Sequence, residues 1–348
     1  MTTPNIPLKR LMAAGAKKGA TWGTAVAVGA SDGLLLESDG GPERKQPYLP
    51  AKELDTPFVE TGDLGAVEPV DFSPSFTMRY NPGAIGTLLA QLFGTAGTPT
   101  KQGTTSAYKH TIKWADSNSG HFSTFVVERP GKILEVPSAK PYKFSFSVEE
   151  GLLKGSIGLR GNNLIDNSLV NQATQVDALT YADRKNRISF KQISVKMNDQ
   201  AGGDLATETA LELANISGDL ERSSDAKIVG GSPTIIEPLD GPHPTGTLKL
   251  EFARANATNQ AFFSKFTGET LQKLSISFLG AVIETTYHFE LRFVFPQARI
   301  INYSAPLDDT IPVTLDLAIE AAGTNPTGMD DCRPYLELVN TRATDYLA

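Results

Sequence analysis

Leu88-Leu89-Ala90-Gln91-Leu92-Phe93-Gly94 is echoed 174 positions later by Phe262-Phe263-Ser264-Lys265-Phe266-Thr267-Gly268, half the length of a 348-residue chain. In both places an alternating strand leads into a short apolar helix that a glycine ends. The strand residues correspond as well, with Leu248, Leu250 and Phe252 mapping onto Pro74, Phe76 and Met78. A repeat of this kind constrains the architecture before any other feature, because each half must build a similar unit. Two units of about 150 residues fit the length. A chain that presents similar surfaces twice suits ring-building better than catalysis.

Thirty-one glycines and 22 prolines imply many turns, which favours β-structure over helical bundles. Cys332 is the single cysteine, so an internal disulfide and a cysteine-clustered zinc site are excluded. Lys9, Arg10, Lys17 and Lys18 are followed by no apolar stretch of signal-peptide length, and nothing approaches a membrane span. The expectation is a soluble protein made in the cytoplasm. Residues 1–170 carry 17 Lys+Arg against 16 Asp+Glu, and 171–348 carry 15 against 23, so the net charge of −7 lies in the second half. That balance argues against tight nucleic-acid binding, which needs clustered cations.

Period-two patterning predicts strands through Val70–Tyr80, Phe122–Val127, Phe144–Val148 and Leu153–Leu159, with a turn at Glu149-Glu150-Gly151. Asn81-Pro82 is read as the start of the first helix, and Gly94 as its stop. In the second half Ile188 and Phe190 shift phase to Ile193, Val195 and Met197, which suggests a bulge. Further strands are expected at Leu248–Phe252, Leu274–Phe278, Tyr287–Phe295 and Ile311–Ile319, with Thr258 capping the second helix.

The predicted organisation is an N-terminal arm over 1–30, a first β domain over 31–165, a linker over 166–186, a second β domain over 187–322, and a C-terminal arm over 323–348. The class is mainly β, sandwich- or barrel-like, with short flanking helices in two tandem copies. Proline- and glycine-rich stretches at about 38–69 and 222–246 precede the two repeat strands. They read as long loops that contact a partner, with a solvent loop as the plain alternative. Candidate inter-subunit contacts are Trp22 in the first arm, Tyr48, Leu49 and Phe58 in the first loop, Ile235 and Ile236 in the second, and Tyr335 and Leu336 in the last arm.

The catalytic inventory is empty. His110, His121, His243 and His288 lack any paired metal spacing, and no P-loop, nucleophile elbow or dinucleotide fingerprint occurs. Glu149-Glu150 and Asp308-Asp309 sit at expected turns, where neighbouring carboxylates point apart, and Asp330-Asp331 lies in the arm. Trp22 and Trp114 are too far apart to form a stacking platform and read as packing residues. No catalytic residue, cofactor or metal is expected.

Gly19-Ala20-Thr21-Trp22-Gly23-Thr24-Ala25-Val26-Ala27 resembles the N-terminal signature of tail tube (major tail) proteins of long-tailed bacteriophages. The strand followed by Leu88–Pro99, then Tyr108-Lys109-His110-Thr111-Ile112 and the hairpin ending Gly158-Leu159-Arg160-Gly161, continues the likeness through about residue 163. The resemblance implies two β-sheets around a core with a flanking helix, subunits joined edge to edge into rings, and rings stacked into a hollow tube. It implies self-association, a tape-measure protein inside the tube, other tail proteins at its ends, DNA passing without tight binding, and no membrane partner. The place implied is the virion tail. Most members are single-fold with six-subunit rings, so a duplicated chain would form a pseudo-sixfold ring of three. A two-domain β-sandwich adhesin or carbohydrate-binding protein is the alternative, and would need a cluster of surface aromatics beside loop carboxylates. A β-rich hydrolase has no catalytic set to support it.

Overall fold

The computed structural model describes residues 13–50, 62–129, 131–181, 186–241, 244–306 and 312–348. Its first ten strands are β1 (Ala14–Lys18), β2 (Tyr48–Pro50), β3 (Gly62–Leu64), β4 (Val70–Phe72), β5 (Ser75–Thr77), β6 (Thr100–Lys101), β7 (Tyr108–Lys113), β8 (Ser123–Arg129), β9 (Lys132–Glu149) and β10 (Leu152–Gly161). The others are β11 (Ile165–Asp166), β12 (Ile193–Asp199), β13 (Asn215–Glu221), β14 (Ser224–Asp225), β15 (Leu239–Asp240), β16 (Thr245–Phe252), β17 (Gln272–Glu284), β18 (Tyr287–Ser304), β19 (Val313–Glu320) and β20 (Tyr335–Asn340). Three α-helices accompany them: α1 (Ala84–Phe93), α2 (Ala173–Asp177) and α3 (Ala257–Thr267). The protein is mainly β, as its glycine and proline content predicts, and sixteen strands belong to one antiparallel network.

The same pairing pattern occurs twice. In the first half Ser38 bridges Ser75 of β5, β5 pairs β10, and β10 pairs β9. In the second half β13 pairs β16, β16 pairs β19, and β19 pairs β18. The strand before each helix (β5, β16) thus lies beside the last strand of its unit (β10, β19), and each helix packs on an 18-residue strand, α1 on β9 and α3 on β18. The registers correspond: Met78 N donates to Leu153 O, and Phe252, its counterpart 174 positions on, faces Val313. The first row, three strands and the Ser38 bridge, joins the second, four strands, where β13 pairs β9, so the sheet runs across the halves without a break.

The core is equally continuous. Phe144 and Phe146 of β9 stack with Phe293 of β18, the Phe146 and Phe293 rings nearly parallel at 4.9 Å. Such pairs contribute about 0.5–1.5 kcal/mol beyond the burial of their area. Along β9, β13, β16 and β19 the inward positions are Phe144, Phe146, Ile216, Leu220, Leu248, Leu250, Leu315 and Leu317, all buried. Period-two alternation is what places them on one face.

Several local expectations are corrected. α1 begins after Gly83, later than Asn81-Pro82 predicts, although Gly94 ends it in the left-handed conformation with φ +85°. Asn256, not Thr258, caps α3, its side chain accepting from Asn259 N. The phase shift before β12 is a 3-10 turn over Phe190–Gln192 rather than a bulge. The strand expected over Ile311–Ile319 is β19, Val313–Glu320; Ile311 lies outside the described residues, as do Asp308 and Asp309.

The segments read as arms are woven into the chain's own sheet. β1 pairs β8, and β20 lies between β18 and β7. Beyond β20, Tyr346 is buried against α1, where a Cβ at Gly86 would overlap its ring. Asn340 Nδ2 donates to Tyr80 O at 3.0 Å and to the Tyr346 hydroxyl at 2.9 Å, and Lys18 Nζ donates to Leu347 O.

Candidate functional site

The described parts of the two proline-rich stretches form antiparallel hairpin ladders; residues 51–61 and 242–243 lie outside the described residues. In the first, β2 pairs β3, and the ladder continues through Gly65 N to Pro47 O and Glu68 N to Lys45 O. In the second, β14 pairs β15 and Ile228 bridges Ile235. The hairpins meet, because Val67 N donates to Pro233 O at 2.9 Å. Trp22 joins them from the N-terminal segment, its Nε1 donating to Ile235 O at 3.0 Å while its ring meets Phe122 edge-on.

The structure therefore brings Trp22, Ile235 and the first hairpin together. Tyr48, Leu49 and Ile236 are exposed, at 57%, 54% and 37%, and Leu64, Ile228, Val229 and Leu239 add further exposed apolar surface on the hairpins. Ile235 is buried beneath them. Tyr335 and Leu336 are not surface groups at all: both are buried in β20, because that strand fills a gap in the chain's own sheet. Burial raises the Tyr335 phenol to about 12. Phe58 lies outside the described residues.

A cluster of buried cations holds the second hairpin against the first half. Arg222, next after β13, donates through Nε to Leu92 O at 2.6 Å and through Nη2 to Phe93 O at 3.0 Å and Ala115 O at 2.7 Å. These include carbonyls that the C-terminal end of α1 leaves without intrahelical partners. The guanidinium stacks on Trp114 at 4.4 Å, with Asp240 3.9 Å away. Burial pulls its pKa below the ordinary arginine value. Lys140 donates to Glu237 Oε1 at 3.0 Å and Pro238 O at 2.8 Å. A cleft of about 370 Å³ beside Arg222 is lined by Trp114, Asp240, Glu320 and Arg333 among others.

The donors of these groups are used on backbone carbonyls and carboxylates. His110 and His288 make their hydrogen bonds to carbonyls, and His121 Nδ1 is buried with no partner among the described residues. Among the described residues no group of three His, Cys, Asp or Glu is arranged to hold a metal. None of the described helices is long and apolar enough to cross a membrane.

The second surface is the outer face of the joined sheet. Opposite the buried positions, β10, β9, β13, β16 and β19 carry Ser156, Ser145, Ser147, Ser217, Asp219, Thr247, Lys249, Thr314 and Asp316. Its charges are interleaved: Lys143 lies 3.3 Å from Asp219, and Lys249 lies 2.7 Å from Glu251. This face is polar, and its cations lie beside carboxylates rather than in a stripe. Sequence reading missed both ends of this sheet, at 37–39 and 301–304. The adjacent Ile300-Ile301 pair, which breaks alternation, was the one available signal.

No family model matches the chain, and no curated protein matches it. Among solved structures, a chain of the "Virion of native gene transfer agent (GTA) particle" is similar at 13% identity and a TM-score of 0.27. The similarity covers 40% of this chain and 96% of that one. Superposition at that score is too loose to define a shared fold.

Proposed function

We propose that this chain is a structural subunit of a phage tail tube, assembling head to tail into rings that stack around a channel. The observation that carries the reading is the joined sheet: two similar rows in one chain, buried on one face and polar on the other, with an open backbone edge at 37–39 and another at 301–304. Exposed edges invite pairing with another chain, and ring closure removes them. Under this reading the copies expected over 31–165 and 187–322 contribute one row each. Three chains would then supply six rows around a pseudo-sixfold ring.

The polar face suits a channel wall. Its paired charges offer no run of cations to displace condensed counterions, so DNA would pass without tight binding. The exposed apolar residues of the two hairpins suit contacts between stacked rings. A tape-measure protein within the tube and other tail proteins at its ends would be the remaining partners, and the virion tail the location. The function needs no enzyme activity, cofactor or metal.

Negative-stain electron microscopy with mass measurement of the purified protein tests the proposal. Rings or tubes with a central channel and a three-chain ring mass are expected. A persistent monomer refutes it, and glycan binding by that monomer would establish the adhesin alternative.

A further inference from the structure

Resting on the ring reading above, we infer that the joint between neighbouring copies repeats the internal β9–β13 joint: backbone 37–39 of one copy pairs with 301–304 of β18 in the next, Ser38 facing Ser304. The internal joint serves as the template. Ser217 of β13 has Lys249 on one side and Ser147 of β9 on the other, and Ser147 in turn faces Lys154. Ser38 stands where Ser217 stands, because its partner Ser75 is the counterpart of Lys249 at the 174-residue offset. Ser304 stands where Ser147 stands, because its partner Thr314 follows Val313 as Lys154 follows Leu153.

Each position lacks the neighbour its counterpart has. β17 pairs β18 only as far as Ala298, opposite Gln272, so beyond that point, among the described residues, β18 is paired on its β19 side alone. The backbone bonds of Glu37 and Ser38 go to Ser75, and among the described residues no second strand pairs with them, although Arg129 of β8 holds the Asp39 carboxylate at 2.8 Å. The equivalent stretch of β9 is covered by β13 from 143 to 147.

The open edge of β18 is also apolar. Ile301 is 51% exposed, and Phe263, 53% exposed, meets Tyr303 edge-on at 5.4 Å. An unpaired strand flanked by apolar side chains is a poor solvent surface and a good strand acceptor. The two edges differ from each other, so the contact is heterologous, and a second copy of this chain is the occupant that carries the complementary edge.

Cross-linking tests the joint. In a Cys332→Ser background, Ser38→Cys with Ser304→Cys places thiols on directly opposed antiparallel residues, whose Cα separation suits a disulfide. Oxidation of assembled rings should give a reducible ladder ending at the covalently closed ring, while each single variant stays monomeric on denaturing gels. Ser147→Cys with Ser217→Cys should form the corresponding bond within one chain. On the unmodified protein, amides 301–304 should exchange fast in the monomer and become protected in the ring.

Rings that form without the Ser38–Ser304 bond, with the internal control bonded, overturn the joint and leave the tube reading standing. Rings whose amides 301–304 stay unprotected do the same, whatever the variants' folding. Absence of rings from the unmodified protein overturns both.

Discussion

Replacing Arg222 by methionine keeps most of the apolar stem and removes the guanidinium, isolating the charge-assisted bonds that clamp the second half to the end of α1. Three carbonyls lose donors, those of Leu92, Phe93 and Ala115, at 2.6, 3.0 and 2.7 Å. Hydrogen bonds to charged groups contribute about 1.5–3 kcal/mol each, but three on one group do not add independently. Two effects reduce the loss: the guanidinium no longer bears its desolvation cost, and water can reach the carbonyls from the adjacent cleft. One effect increases it, since Asp240 loses its nearby cation. The expected destabilisation is about 3–5 kcal/mol, the usual range for breaking a buried charged network. At about 2.1 cal/mol/K per residue this lowers Tm by roughly 4–7 °C. Urea unfolding followed by tryptophan fluorescence reads the change directly, because Trp114 lies under Arg222. The midpoint should fall with an unchanged slope. A loss below about 1 kcal/mol would refute the clamp, showing that the carbonyls are as well satisfied by water.

Gly86→Ala should destabilise by about 1–3 kcal/mol despite alanine's better helix propensity, because the new methyl overlaps Tyr346. A double-mutant cycle with Tyr346→Leu should recover most of that loss. His110 is buried between Gly97 O and Arg342 O, and burial lowers its pKa. Its folded pKa lies below the unfolded value of about 6.5, so the unfolded state binds the proton first. Its contribution is therefore complete above that value and is lost as pH falls toward the folded pKa, by at most about 1.4 kcal/mol per pH unit; the difference between wild type and His110→Gln in urea titrations across pH isolates it. Leu49→Asp, at an exposed hairpin position, should leave urea unfolding within about 0.5 kcal/mol of wild type yet shorten or abolish tubes in micrographs. Full-length tubes would remove the first hairpin from the stacking contact.

What was legible in the sequence was local. Phe76 and Met78 ahead of the Leu88–Phe93 stripe, and Leu248–Phe252 ahead of Phe262, are strand–helix units whose spacing alone reveals them. The Glu149–Gly151 turn was equally plain, and Glu150 and Gly151 both adopt positive φ. Long-range pairing was not legible. β1 is Ala-Gly-Ala-Lys-Lys, with no alternation to mark a strand, and it exists because β8 offers it an edge. β20 looked like an arm because a short apolar run carries no address for β18 and β7. Nothing in the sequence marks Arg222, since only the folded chain brings the end of α1 to it. The apolar hairpin residues Tyr48, Leu49 and Ile236 were visible because apolar residues among prolines and glycines stand out without any knowledge of the fold.

The position of β20 sets the order in which this chain becomes complete. β7, at residues 108–113, finds one side of its ladder in residues 335–340, and α1 receives Tyr346 from the same distant segment. Closing so long a loop is slow compared with forming the hairpins. A chain cut before residue 335 leaves β7 and the floor of α1 uncovered, whichever hairpins it has already made. Residues 335–346 therefore decide whether the first half is closed: a product that lacks them exposes one side of β7 and the floor of α1.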